Sequence, residues 1–123
     1  MKDKEIALEL TKKLISLCET ADRIYEDVRE TGKERDFYTE VKPFADEVHH
    51  TTTEWAGQMK KWMKAESFRY IFPQQIDQTA QNLTDIAVQA FFPKTSYNRF
   101  KSHVQSVQFI LKSVLTEITN PIN

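Results

Sequence analysis

Turn-forming residues are scarce in this 123-residue chain, which holds two glycines and four prolines. Turn-dense sandwiches and barrels need many more, so those fold classes are disfavoured before any pattern is considered. The single cysteine, Cys18, has no intramolecular disulfide partner, which fits a reducing compartment. Apolar residues never run beyond three in succession, as in Ala90-Phe91-Phe92, so no segment is suited to span a membrane. Neither sign of charge dominates. Seventeen basic and 18 acidic residues leave a net charge of -1, which gives no global attraction to nucleic acid or anionic lipid. The opening Met1-Lys2-Asp3-Lys4-Glu5 leads into a charged helical pattern with no apolar signal core. Residues 1–123 are therefore expected to form one cytoplasmic domain, without membrane or nucleic-acid contacts.

What the chain has is helical periodicity. From residue 3 to 31, Ala7, Leu10, Leu14, Leu17, Ala21, Ile24 and Val28 recur at alternating three- and four-residue steps, flanked by Ile6, Cys18 and Tyr25. Gly32 is the expected stop. A second pattern, from about 36 to 65, runs Phe37, Val41, Phe44, Val48, Thr51, Trp55, Gln58, Trp62. Pro43 falls inside it and removes one helical hydrogen bond, predicting a kinked continuation or a fresh start. The third helix opens at Pro73 and runs to about Phe91, with Ile76, Ala80, Leu83, Ala87 and Ala90 as its stripe. Thr95 or Ser96 is placed to cap the fourth, whose seam is Tyr97, Phe100, Val104, Val107, Leu111, Val114 and Ile118, ending before Pro121. Of these 27 seam positions 25 are apolar, where composition alone gives about 11. The pattern predicts an all-α, up-down-up-down four-helix bundle with left-handed twist, helix three the shortest.

That shortness has a consequence. The first helix spans about 42 Å and the third about 27 Å, leaving about 15 Å of seam uncovered at one end. The segment Glu66-Ser67-Phe68-Arg69-Tyr70-Ile71-Phe72 is too apolar for an ordinary exposed loop, and Phe68, Tyr70 and Phe72 are expected to cover the gap.

The whole chain resembles the YppE-like family, small helical-bundle proteins of Bacillus and its relatives. The resemblance rests on the order of landmarks: Phe37-Tyr38 leading to Val41-Lys42-Pro43-Phe44, the Trp55/Trp62 pair, Gln75-Ile76-Asp77-Gln78, and Lys101-Ser102-His103-Val104-Gln105. It implies a four-helix bundle from a bacterial cytosol and carries over no activity, cofactor or catalytic residue.

Four constellations bear on the chemistry. Glu47-Val48-His49-His50 is one Glu-x-x-His motif, where a di-iron bundle uses two plus two further glutamates. A metal-binding bundle using Glu47, His50 and His103 is the alternative to a non-catalytic module; with Val48 on the seam, however, His49 and His50 point outward. Glu40, Glu47 and Glu54 recur every seven residues and fit a solvated flank with salt bridges. The weak helix formers of residues 49–57 fit a helix held by tertiary packing, or a hinge. Finally, Trp62, Met63, Phe68, Tyr70, Ile71 and Phe72 cluster beside Lys60, Lys61, Lys64 and Arg69. Trp62, Met63, Phe68, Tyr70 and Phe72 form a candidate patch for a protein partner, with packing as the competing role. No Gly-rich phosphate loop, Cys-x-x-Cys or serine elbow occurs, so neither catalytic residues nor a cofactor are expected. Surplus apolar surface leaves both monomer and homodimer open.

Overall fold

The structure, a computed structural model, describes the backbone of residues 2–66 and 68–119, and the side chains of 4–66 and 68–119. It contains four α-helices, α1 (Lys2–Thr31), α2 (Lys42–Ala65), α3 (Pro73–Gln89) and α4 (Tyr97–Thr119), and no strand among the described residues. Each helix packs on its sequence neighbours, and α4 closes the ring on α1. Residue pairs give the directions. Thr11 and Lys13 of α1 meet Trp55 and Glu47 of α2, while Ile15 and Asp22 meet Gln108 and Lys101 of α4. Thr52 and Lys60 of α2 meet Thr84 and Asp77 of α3. In each pair numbering rises along one helix as it falls along the other, so adjacent helices are antiparallel.

The stops follow local chemistry. Gly32 ends α1 with φ +68°, a left-handed conformation, and its N–H donates to the Val28 carbonyl at 2.8 Å. Ser96 precedes α4, its Oγ accepting from the Arg99 N–H at 3.4 Å. The stop expected before Pro121 lies outside the described residues.

Pro43 produces neither a simple kink nor a break. Residues Phe37–Val41 form a π-helical turn that joins α2 directly, with Pro43 in the first turn of α2. The Val41 N–H donates to Asp36 and the Lys42 N–H to Phe37, each five residues back. A proline ring collides with the carbonyl four residues before it; the wider π register just upstream relieves that crowding. Asp36 caps the turn, its Oδ1 accepting from the Thr39 N–H at 2.8 Å. The change of register turns Phe37 out of the expected seam: it is 56% exposed.

The core confirms most seam positions and corrects several. On α1, Ala7, Leu14, Ala21 and Val28 are fully buried, but Thr11, Cys18 and Tyr25 share the deepest layer. Leu10, Leu17 and Ile24, expected at the seam, are only partly buried at its edge. A helix touching two neighbours and a diagonal partner buries a wider arc than a two-helix seam, and the arc's centre lies one residue further on. On α2, Met59 is buried where Gln58 was expected, and on α3 Thr79 and Ile86 are buried while Ala80 is partly so. On α4, Phe100, Val104, Val107, Leu111, Val114 and Ile118 are buried as expected, with Tyr97 40% exposed at the edge.

Candidate functional site

At the end of the bundle where α2 stops, residues 66 and 68–72 lead on to α3 outside any helix. The Glu66 N–H closes the last turn of α2 on the Trp62 carbonyl at 3.0 Å, and Glu66 itself is extended, with φ -124° and ψ 147°. The Phe68 ring stands edge-on against Trp62, with centroids 5.2 Å apart at 88°. Ile71, 3% exposed, plugs the end of the core. The Phe72 N–H donates to Gln75 Oε1 at 2.8 Å, and Pro73 then opens α3.

A side chain from α4 fixes this path. Glu117 Oε1 accepts the backbone N–H groups of Arg69 at 2.5 Å and Tyr70 at 3.2 Å. An acid in the last turns of a helix opposes the helix dipole, so its presence there is a sequence signal that it serves another donor.

The gap left by the short α3, 17 residues against 30 in α1, is thus filled by Phe68 and Ile71. The expectation that Tyr70 and Phe72 would join them is corrected: they are 69% and 57% exposed. Of residues 70–72 only Ile71 turns inward, and Phe72, whose backbone is extended, projects to the other side. Of the expected patch, then, Tyr70 and Phe72 project into solvent. Met63 and Phe68 are half-buried, and Trp62 is nearly buried as part of the core.

Beside the aromatics runs an open groove of about 300 Å³ whose apolar wall is Met63, Phe68, Ile71 and Pro73, with Lys64 and Glu66 on the rim. Lys60 is held by Asp77 at 2.9 Å. Lys61, Lys64 and Arg69 are exposed and carry no ion pair among the described residues. The groove itself is apolar, with one cation, Lys64, and one acid, Glu66, at its edge.

The other candidates are placed differently. Glu47 is on the surface beside Lys13, 3.6 Å away, and His50 Nε2 lies 2.7 Å from Glu54 one turn along the same exposed face. His103 is half-buried on α4, its Nδ1 without a hydrogen-bond partner. The structure does not bring Glu47, His50 and His103 together, and no group of three or more metal-ligating side chains is assembled among the described residues. The heptad acids are each paired, Glu40 with Arg35, Glu47 with Lys13 and Glu54 with His50, as a solvated flank.

The family model described as a bacterial domain of unknown function, DUF1798, matches residues 11–118. This chain belongs to the DUF1798 family. Among curated proteins, the uncharacterised YppE of Bacillus subtilis strain 168 is 25% identical over 111 residues, covering 90% of each chain. A crystal structure of a protein of unknown function from Listeria innocua superposes with a TM-score of 0.91 at 28% identity, covering 95% of this chain and 94% of that one. The crystal structure of YppE gives 0.89 at 24% identity over 94% of both. DUF1798 membership thus bears out the resemblance seen in the sequence and fixes the helical fold, while assigning no activity. No helix among the described residues is long and apolar enough to cross a membrane.

Proposed function

We propose that this DUF1798 protein is a non-catalytic cytoplasmic module that acts through protein–protein contact at the end of the bundle formed by Trp62–Phe72. The observation that supports this most is the exposure of Tyr70 and Phe72, 69% and 57%, on a backbone that Glu117 holds in place. Water contact with two large rings is unfavourable, and pre-ordering their backbone lowers the entropic cost of docking. Aromatic anchors beside an apolar pocket are where binding energy concentrates in protein interfaces.

The double variant Tyr70→Ser/Phe72→Ser separates contact from packing. Both side chains are exposed, so the thermal midpoint should change little, by about 0.5 kcal/mol or less per site. Capture of a partner from lysate of the source bacterium should be lost. A large fall in midpoint with an unchanged set of captured proteins would show that the rings serve the fold. As an internal control, Ile71→Ser should destabilise by about 2–4 kcal/mol, because it opens the buried plug.

A further inference from the structure

We infer that residues 68–72 form a strap that opens as a unit while the four helices stay folded, with Glu117 as its latch; its consequence for docking rests on the reading above. The strap has no helix or strand of its own. Its Phe72 is bonded to the first turn of α3. Among the described residues, the hydrogen bonds that tie its backbone to any other part of the fold are those from the Arg69 and Tyr70 N–H groups to Glu117. Of its side chains only Ile71 is buried; Phe68 is half-buried, and Arg69, Tyr70 and Phe72 are exposed. Segments with so little burial and so few backbone bonds open well below the free energy of global unfolding. The other two connections are tied at more points. Between α1 and α2, Arg35 binds both Asp27 and Glu40, and the π turn runs on into α2. Between α3 and α4, the Thr95 carbonyl accepts from Tyr25 and Arg29 while its hydroxyl donates to the Gln89 carbonyl.

The latch is itself under tension between its two oxygens. Oε1 takes both amides, whereas Oε2 is buried with no partner among the described residues. A buried oxygen without a donor has given up water with no return. The charge also lies near the C-terminal end of α4, where the helix dipole disfavours it. Opening the strap returns the carboxylate and both amides to water and lifts Phe68 from the Trp62 ring. Against opening stand the two charge-assisted bonds and the burial of Ile71. The closed strap fixes the backbone that displays the Tyr70 and Phe72 rings, and the open strap does not. A partner that docks on fixed rings binds closed molecules, so its apparent affinity scales with the closed fraction.

The test is amide hydrogen exchange followed by NMR on the full chain, at urea concentrations below the unfolding transition. Leu111, buried in the middle of α4, sets the rate of global opening. The Arg69 and Tyr70 amides should be protected relative to a free peptide, yet exchange about 100-fold or more faster than Leu111. Their urea dependence should be much weaker than that of Leu111, because opening the strap exposes little surface. Glu117→Gln keeps the shape of the latch and removes its charge, so it should speed exchange at Arg69 and Tyr70 by about tenfold. Should that variant fail to fold, the urea dependence of the unaltered protein still decides. No protection at Arg69 and Tyr70, a urea dependence equal to that of Leu111, or indifference to Glu117→Gln would each overturn the inference. The contact surface is judged separately by Tyr70→Ser/Phe72→Ser. Loss of partner capture in that variant alongside any overturning result would leave the surface standing without a moving strap. A separate opening alongside retained capture would leave the strap standing and remove the surface.

Discussion

Thr11 and Thr51 are both buried threonines, yet their hydroxyls stand in opposite situations. Thr11 Oγ1 donates to the Ala7 carbonyl at 2.7 Å and accepts the Trp55 indole N–H at 3.0 Å, tying α1 to α2 through the core. Thr51 Oγ1 is buried with no partner among the described residues. A valine of nearly the same shape therefore has different effects at the two sites. Thr11→Val leaves the Trp55 N–H buried and unsatisfied, so it should cost about 1–3 kcal/mol although the new side chain is more apolar. Thr51→Val removes an unsatisfied group and should be neutral or stabilising. Urea unfolding of the two variants gives the comparison directly. Periodicity placed Thr51 on the seam but passed over Thr11, because a hydroxyl reads as polar wherever its partner lies in another helix. Tyr25 was read only as a flank of the α1 stripe, whereas its ring stacks on Phe100 at 4.0 Å and its hydroxyl donates to the Thr95 carbonyl at 2.5 Å.

Among the elements, α2 departs furthest from a plain bundle helix. Residues 49–57 have weak helical propensity, yet they are helical, anchored by buried Thr51, Thr52 and Trp55. Gly57 sits in this stretch on the exposed side, and an added Cβ there would meet nothing within 4 Å. Gly57→Ala should accordingly stabilise by about 0.5–1 kcal/mol, raising the thermal midpoint by a few degrees. A drop instead would show that the glycine's freedom serves a motion of α2. Helix number, order and approximate ends were readable from the sequence because the apolar period, Gly32 and Pro73 are local signals. The π turn before Pro43 was not, since a proline specifies only that one bond is missing, not which wider register absorbs it. At the candidate site the composition of residues 66–72 announced an apolar cover. Which side chains turned inward depended on Glu117, 47 residues or more away in sequence from the amides it accepts.

For the molecule as a whole, Cys18 offers a measure of global opening. It is fully buried, and burial, with Asp22 and Glu19 adding to it, pushes the thiol up to about 12. A thiol so buried and so weakly acidic should resist a disulfide-exchange reagent in the folded protein and react once the bundle opens. Labelling at mildly alkaline pH should then follow global unfolding, with the same denaturant midpoint as circular dichroism. Faster labelling would reveal a local opening of α1. The sign of the pH effect follows: the folded state holds this proton where the unfolded thiol has lost it. That contribution is complete below the ordinary thiol pKa of 9.0 and declines as pH rises toward about 12. Lys101 acts in the same direction. Burial draws its ammonium down, but the hydrogen bonds it donates to Asp22 and Glu26 outweigh that and leave it at about 12. Its share is likewise whole below 10.5 and lost through about 12.

Both tryptophans of the chain lie on α2, Trp55 in mid-bundle with its indole bonded to Thr11, Trp62 at the end against Phe68. The protein thereby carries two intrinsic fluorophores, each in a different setting. Emission from Trp55 reports the integrity of the core. Emission from Trp62 is quenched or shifted by whatever disturbs Phe68, so replacing either indole with phenylalanine would separate an optical signal of folding from one of docking.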